Sequence, residues 1–227
     1  MAAGTITALR AQERDDQRIN VFLDGEFAIG VSMTTLVAER LYVGQPISEL
    51  EFERLARAEF QDRAFHTALR ALDSRPRSAA EVRERLRRRE FTPEQIDIAV
   101  QRLVDLRLID DAAFAKFWVE ARQRSRSRGV GALRDELRRK GIAKDEIAAA
   151  LDAEYLGDQA VGALAAGRAV LKRYAAVPDR FTFARRLGGL LLRRGFPADA
   201  VRAAVAQLWA ERGGSYDEDD LQLEDDA

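Results

Sequence analysis

The chain has 227 residues, of which 47% are hydrophobic and 33% are charged, so it can bury a core. It contains no cysteine, which excludes disulfides, thiolate catalysis and zinc-finger chemistry. Residues 215–227 carry seven acids and no base, and without them 37 basic residues face 31 acidic ones. A basic body favours an anionic partner, although an acidic tail is equally explained by solubility.

The first 31 residues predict a small antiparallel sheet. Three short β-prone runs occupy residues 5–10, 18–23 and 26–31, and the dipeptide Asp24-Gly25 separates the last two. Asp-Gly between apolar runs predicts a hairpin with a type I′ turn, because that turn needs positive φ at both central residues. Two or three short strands bury little apolar surface by themselves. We therefore expect them to pack on the helices that follow.

Two helices are predicted directly after these strands. The first lies near residues 34–41, and the second begins after Ser48. Ser48 and Glu51 have the spacing of a capping box, with serine at the N-cap and glutamate three residues later. Past residue 60 the whole chain has a helical pattern.

Three segments of this helical region repeat without gaps, at residues 82–103, 133–154 and 187–208. Six apolar positions recur in register, with helical spacing on either side of a short break, which predicts a helix, a turn and a second helix. One further helix precedes each segment, so each repeat is predicted to hold three helices. These preceding helices are expected at residues 64–72, 112–121 and 158–174. The six sets of equivalent apolar positions are Val82, Leu133, Leu187; Leu86, Leu137, Leu191; Phe91, Ile142, Phe196; Ile96, Ile147, Val201; Ala99, Ala150, Ala204; and Val100, Leu151, Val205.

The residues at the breaks indicate how each turn is built. Gly141 and Gly195 suit the left-handed position that ends a helix, whereas Glu90 stands there in the first repeat and predicts a weaker cap. Pro93 and Pro197 suit the first position of the second helix. Stacked three-helix units of this kind predict a mainly α, elongated and curved array.

Basic clusters at the ends of the first helices raise the possibility of DNA recognition. Cations there also complement the helix dipole, which explains them without a partner. The second helices begin with Pro93-Glu-Gln, Lys144-Asp-Glu and Pro197-Ala-Asp, and such acids cap helices well but contact base edges and phosphates poorly. Operator recognition is therefore disfavoured. The basic clusters are Arg87, Arg88 and Arg89; Arg138, Arg139 and Lys140; and Arg193 and Arg194.

No motif indicates catalysis. The single histidine, His66, follows Phe65 on a predicted helix and is interpreted as structural. Asp110 and Asp111 are adjacent acids, but either is explained as the cap of the next helix rather than as a metal ligand. We therefore predict no catalytic residue, no metal site and no cofactor.

Four ranges together resemble the RecX regulatory proteins. They are residues 20–31 (NVFLDGEFAIGV), 108–118 (LIDDAAFAKFW), 122–129 (RQRSRSRG) and 133–142 (LRDELRRKGI), within a similarity that spans about residues 5–210. The resemblance implies a non-enzymatic inhibitor of the bacterial recombinase RecA that lies along the groove of the RecA–DNA filament. It implies inhibition of ATP hydrolysis, strand exchange and filament extension. The alternatives are a nucleic-acid-binding protein that acts without RecA and a repeat scaffold for another protein.

The middle repeat matches that family best, so we expect the main contact surface there. The expected target of this surface is acids of RecA, single- or double-stranded DNA, or both, since arginine binds carboxylate and phosphate bidentately. Residues 122–129 are interpreted as a linker between two helices, in which Gly129 and Gly131 permit a bend. The predicted surface comprises Arg122, Arg124, Arg126, Arg128, Arg134, Arg138, Arg139 and Lys140.

The predicted organisation has an N-terminal sheet with helices, three repeats and a tail. With no signal peptide and no apolar run of about 20 residues, we expect a soluble, cytoplasmic monomer without a membrane partner. The corresponding ranges are 1–60, 61–110, 111–156, 157–212 and an acidic disordered tail at 213–227.

Overall fold

The computed structural model describes residues 3–13, 15–125, 128–152 and 158–213. The chain divides into two compact units, Met1–Asp110 and Asp111–Ala227. Arg126 and residues 214–227, which are the predicted acidic tail except for Gly213, lie outside the described residues.

The first unit begins with a four-stranded antiparallel sheet of β1 (Gly4–Gln12), β2 (Asp15–Leu23), β3 (Glu26–Ser32) and β4 (Pro46–Ile47), in the order β3-β2-β1-β4. Asp24 and Gly25 join β2 to β3 with φ of 47° and 88°, which confirms the predicted hairpin. The fourth strand is a two-residue pairing with the start of β1, and so short a segment has no periodicity to predict it.

Two helices pack beside the sheet, α1 (Met33–Ala38) and α2 (Glu49–Leu72). The capping box of Ser48 and Glu51 is present at the start of α2. The helix expected at residues 64–72 is not separate but forms the last turns of α2, which runs without a break past residue 60. A 24-residue helix therefore serves both the sheet and the first repeat.

The buried carboxylate of Glu59, on α2, joins the helix to the sheet. Its Oε1 accepts a hydrogen bond from Arg18 Nη2 at 2.9 Å, and its Oε2 accepts one from the Ser32 backbone N–H at 2.7 Å. The side chain of Glu59 is 2% exposed, so these partners offset the loss of its hydration.

Helices α3 (Ala79–Arg87) and α4 (Pro93–Asp105) complete the first three-helix unit with α2. Thr92 caps α4 in a second capping box, and Pro93 opens the helix as predicted. Glu90 adopts a φ of 64° at the end of α3, the same left-handed conformation that Gly141 (76°) and Gly195 (85°) adopt in the other turns. A non-glycine residue is strained there, so this turn is the least favourable of the three.

The second unit holds seven α-helices among its described residues. The middle repeat consists of α5 (Asp111–Ser125), α6 (Val130–Arg139) and α7 (Lys144–Ala150). The third repeat begins with α8 (Gln159–Arg168), which is shorter than expected because a 3₁₀ turn, Leu171–Tyr174, follows it. Its second helix is interrupted by a π-helical turn, Ala184–Gly188, between α9 (Arg180–Phe183) and α10 (Gly189–Arg193), and α11 (Ala198–Glu211) closes the repeat.

The six repeated apolar positions form the cores of the three repeats. All of their side chains are buried except that of Phe91, which is partly buried against the core of the first repeat. In the middle repeat Leu133 and Leu137 are fully buried with Phe114, Val119 and Ile147. The gapless alignment thus predicted which residues form the core of each repeat.

Candidate partner-binding surface

The arginines of residues 122–129 do not belong to one linker. Helix α5 continues through Ser125, so Arg122 and Arg124 are helical, and the expected linker is shorter than predicted. Arg122 turns toward α6, where its Nε donates a 2.8 Å hydrogen bond to Glu136 Oε2. It therefore serves the packing of α5 on α6 at least as much as any external partner.

Glu136 is the buried carboxylate around which this end of the middle repeat is arranged. It is 8% exposed, and it accepts hydrogen bonds from Trp118 Nε1 and Arg122 Nε, each at 2.8 Å. Arg128 Nε approaches its other oxygen at 3.4 Å. Burial alone would raise its pKa, but the hydrogen bonds from Trp118 and Arg122 and the charges of Arg122 and Arg128 outweigh burial and hold the pKa below its ordinary value.

Two cations of the predicted surface lie over the ring of Trp118. The guanidinium carbon of Arg122 is 4.3 Å from the ring centroid, and Lys140 Nζ is 4.1 Å from it. Trp118 in turn stacks on Phe114, with centroids 5.9 Å apart. Cations at such distances are attracted to the negative face of an indole, so the ring of Trp118 orients the side chains of Arg122 and Lys140.

Three of the predicted arginines line an open groove together with a fourth from the third repeat. Arg128, Arg134 and Arg139 come from the middle repeat and Arg193 from the end of α10, around a volume of about 580 Å³. Asp135 is the only acid among the described residues that line it. We call this feature the arginine groove; its excess of positive charge suits a partner that presents carboxylates or phosphates.

Arg124 and Arg138 lie outside the groove. Arg124 Nη1 is 3.7 Å from Glu120 one turn earlier, and Arg138 Nη1 is 3.6 Å from Asp135. Both arginine side chains are more than 60% exposed, so these ion pairs are weak. The predicted set therefore separates into cations bound to Trp118 and Glu136, cations that line the groove, and exposed cations beside it.

The glycines at the start of α6 serve close packing rather than the bend that the sequence suggested. Gly129 has an ordinary φ of −74°. A Cβ atom added to Gly129 would lie 2.2 Å from the carbonyl carbon of Gly195, and one added to Gly195 would lie 2.1 Å from the Ala132 backbone nitrogen. The turn of the third repeat thus rests directly on the first turn of α6, which brings Arg193 to the groove.

The first backbone N–H groups of α6 are occupied by the third repeat. Gly129 N–H donates to Arg194 O at 2.9 Å, and Gly131 N–H donates to Gly195 O at 3.0 Å. Val130 N–H donates to the side-chain oxygen of Gln159 at 3.0 Å. A helix start usually attracts anions through these groups, but here they are already paired, so arginine side chains provide the attraction in the groove.

The sequence did not predict that Trp118, Glu136 and Arg193 belong to this surface. Glu136 lies three residues after Leu133 on an apolar face, and an acid in that position indicates a buried ion pair. Trp118 and Arg122 are four residues apart, the spacing at which helical side chains meet. No local signal links Arg193 to the middle repeat, because their proximity depends on packing between repeats.

The remaining candidate residues show no reactive arrangement. His66 is half-exposed, with its Nε2 3.5 Å from Asp62 Oδ1 one turn earlier. Within the described ranges no group of three His, Asp or Glu side chains is placed to hold a metal ion. None of the helices described there is both long and apolar enough to cross a bilayer.

A curled sheet, tandem three-helix units and a cationic groove define a helical-repeat protein. Three profiles of one family match the chain: the regulatory protein RecX N-terminal domain at residues 4–48, the RecX first three-helix domain at 64–103 and the RecX second three-helix domain at 110–151. The chain belongs to the RecX family of regulatory proteins.

Whole-length relatives agree with these matches. The regulatory protein RecX of Levilactobacillus brevis is 33% identical over 203 residues, which cover 89% of this chain and 76% of the relative. The RecX protein of Bacillus subtilis is 29% identical over 218 residues, which cover 96% and 82%. The relatives thus align with the third repeat as well as with the ranges that the profiles match.

Solved structures show the same fold. A crystal structure of regulatory protein RecX superimposes with a TM-score of 0.71 at 27% identity, covering 88% of this chain and 98% of that one. A RecX crystal structure from Lactobacillus salivarius superimposes with a TM-score of 0.58 at 22% identity, covering 66% and 97%. The second likeness supports the fold alone.

Proposed function

We propose that the chain is a negative regulator of the bacterial recombinase RecA that binds in the groove of the RecA–DNA filament. Membership of the RecX family supports a regulatory role. The observation that supports the binding site is the arginine groove, which is lined by four arginines and one acid. By occupying the filament groove the protein inhibits ATP hydrolysis, strand exchange and filament extension.

The chemistry of the arginine groove suits both components of such a filament. A guanidinium group binds a carboxylate of RecA or a phosphate of DNA through two parallel hydrogen bonds. Arg128 is held at the groove by Glu136, and the contact of Gly195 with α6 places the nearby backbone of Arg193 beside it. Pre-positioned cations lose less conformational entropy when a partner binds.

The wider biological setting follows from the same proposal. Regulation of RecA places the protein in recombination, DNA repair and the SOS response, in the cytoplasm and as a monomer. Four domains, at residues 1–60, 61–110, 111–156 and 157–212, precede an acidic tail that competes with DNA for the basic surfaces. Removal of residues 215–227 is then expected to increase affinity for DNA, and unchanged affinity and inhibition would contradict the competition.

A second candidate function is direct binding of nucleic acid without RecA. The same arginines favour it, since phosphate contacts from arginine supply most of the affinity in non-specific binding. The acids that open α4 and α7 still disfavour base readout, so this function would be independent of sequence.

A titration of RecA's DNA-dependent ATPase distinguishes the two functions. A filament regulator inhibits the ATPase when the protein is far scarcer than RecA, because one bound molecule affects many protomers. A competitor for DNA inhibits only when there is enough protein to coat the strand. Loss of inhibition below coating concentrations would exclude the filament-directed function.

A further inference from the structure

The third repeat carries an open apolar groove that is distinct from the arginine groove. It lies between the α9–α10 segment, with its π-helical turn, and the first half of α11, and it encloses about 450 Å³. Phe181 at its edge is 74% exposed and Leu192 is 51% exposed. Large apolar side chains exposed beside a concave apolar surface are typical of docking sites.

Cations border this apolar groove. Arg185 and Arg202 line it and are exposed, and the described lining residues include no acid. The guanidinium carbon of Arg185 lies 6.0 Å from the centroid of the Phe181 ring. An apolar floor with positive edges suits an extended segment in which apolar side chains alternate with polar ones and acids flank them.

The chain contains a segment with this chemistry immediately after α11. Residues 214–227 carry seven acids and no base, and the leucines among them are Leu221 and Leu223, separated by Gln222. Asp219 and Asp220 precede the leucines and three acids follow them. In an extended segment Leu221 and Leu223 point to the same side, so both can enter one groove while the acids meet its arginines.

The length of this segment is sufficient. Val201 of the groove lies 12 residues before Gly213, the last described residue, which is about 18 Å along a helix. Leu221 follows Gly213 by eight positions, which span up to about 26 Å when extended. The chain is therefore long enough for the leucines to enter the groove of their own molecule, where their effective concentration would exceed that of a tail from another copy.

We propose that the C-terminal segment docks intramolecularly on the third repeat, with Leu221 and Leu223 in the apolar groove and its acids beside Arg185 and Arg202. This inference does not depend on RecA. Leu192 lines both grooves, so docking brings the acids of the tail to the border of the arginine groove as well.

Methyl NMR of the full chain tests the docking. The double variant Leu221→Ser/Leu223→Ser retains all seven acids and is expected to shift the methyl signals of Leu192, Val201 and Val205, which line the groove. Methyl signals of Val82 in the first repeat serve as the reference and should not move. Unmoved groove signals in the double variant would overturn the proposal.

Matched substitutions and a mixing experiment determine how the groove is occupied. Phe181→Ser is expected to release the tail, as judged by narrowed signals of Leu221 and Leu223, whereas Phe27→Ser, at a residue 60% exposed in the first unit, should not. Unlabelled full-length chain is then added to labelled chain that ends at Gly213. Groove shifts in that mixture at equimolar concentration would assign the groove to a second copy and contradict intramolecular docking.

Discussion

Trp118 donates a 2.8 Å hydrogen bond to Glu136, a carboxylate that is only 8% exposed. Because Arg122 donates to the same oxygen and Arg128 approaches the other, Glu136→Gln removes the charge that both arginines face. We expect the free energy of unfolding to fall by about 1–2 kcal/mol, since each arginine is partly exposed and water screens part of the loss. Urea unfolding measures the change.

Glu120→Gln is the matched control for that substitution. Glu120 pairs with Arg124 at 3.7 Å, but its side chain is 49% exposed. An exposed pair one helical turn apart contributes little, so the free energy of unfolding should change by less than about 0.5 kcal/mol. Equal losses in the two variants would show that burial of Glu136 is not what makes its contacts stabilising.

Stability should depend on pH through Glu136 in an acidic window. Its pKa in the folded chain lies below the ordinary value of 4.5, so its contribution is complete above 4.5 and is lost as the pH falls through the folded pKa. The difference in unfolding free energy between the parent chain and Glu136→Gln should stay constant down to about pH 5 and shrink below it. Chemical denaturation at a series of pH values measures this difference, and one that grew on acidification would contradict the sign of the shift.

Gly129→Ala is expected to weaken the contact between the middle and third repeats. The added Cβ would lie 2.2 Å from the backbone of Gly195, so the two backbones must separate. Overpacking of this kind costs about 1–3 kcal/mol and would lengthen the hydrogen bond from Gly131 to Gly195. Hydrogen exchange at the Gly131 amide should accelerate together with a fall in urea stability.

Gly189→Ala provides the comparison within the same unit. The nearest atom to its added Cβ is Arg193 Nη1 at 3.3 Å, the end of a flexible side chain that can move. Alanine also favours a helix over glycine by up to about 1 kcal/mol. Gly189→Ala should therefore be neutral or stabilising, and a loss as large as that of Gly129→Ala would show that any added methyl group disturbs this unit.

Local patterns predicted the cores and turns, because each depends on residues close in sequence. The apolar positions around Leu86, Leu137 and Leu191 recur with helical spacing, and all three are fully buried. Contacts between residues far apart in sequence were not predicted. Arg122 was assigned to a linker between helices because its partner, Glu136, lies 14 residues away on another helix. The contact of Gly129 with Gly195 spans two repeats, and glycine has no side chain whose pattern could reveal it.

The arginine groove predicts a division among exposed cations of the middle repeat. Arg134→Ala/Arg139→Ala removes two charges that line the groove, and Arg124→Ala/Arg138→Ala removes two exposed charges outside it. We expect the first pair to raise the concentration needed for inhibition of the RecA ATPase at least 10-fold, about 1.4 kcal/mol, because bidentate contacts are lost. The second pair should change it less than 3-fold. Equal effects would mean that net charge, and not the groove, governs binding.

Salt dependence of binding to bare single-stranded DNA separates phosphate contacts from contacts with RecA. Each phosphate neutralised on a single strand contributes about 0.7 to the slope of log affinity against log salt concentration. If Arg134 and Arg139 both contact phosphates, their double substitution should reduce that slope by about 1.4, whereas Arg124→Ala/Arg138→Ala should leave it nearly unchanged. Fluorescence anisotropy at several salt concentrations gives the slopes. A slope unaffected by the groove substitutions, combined with weaker ATPase inhibition, would assign the groove arginines to carboxylates of RecA instead of DNA.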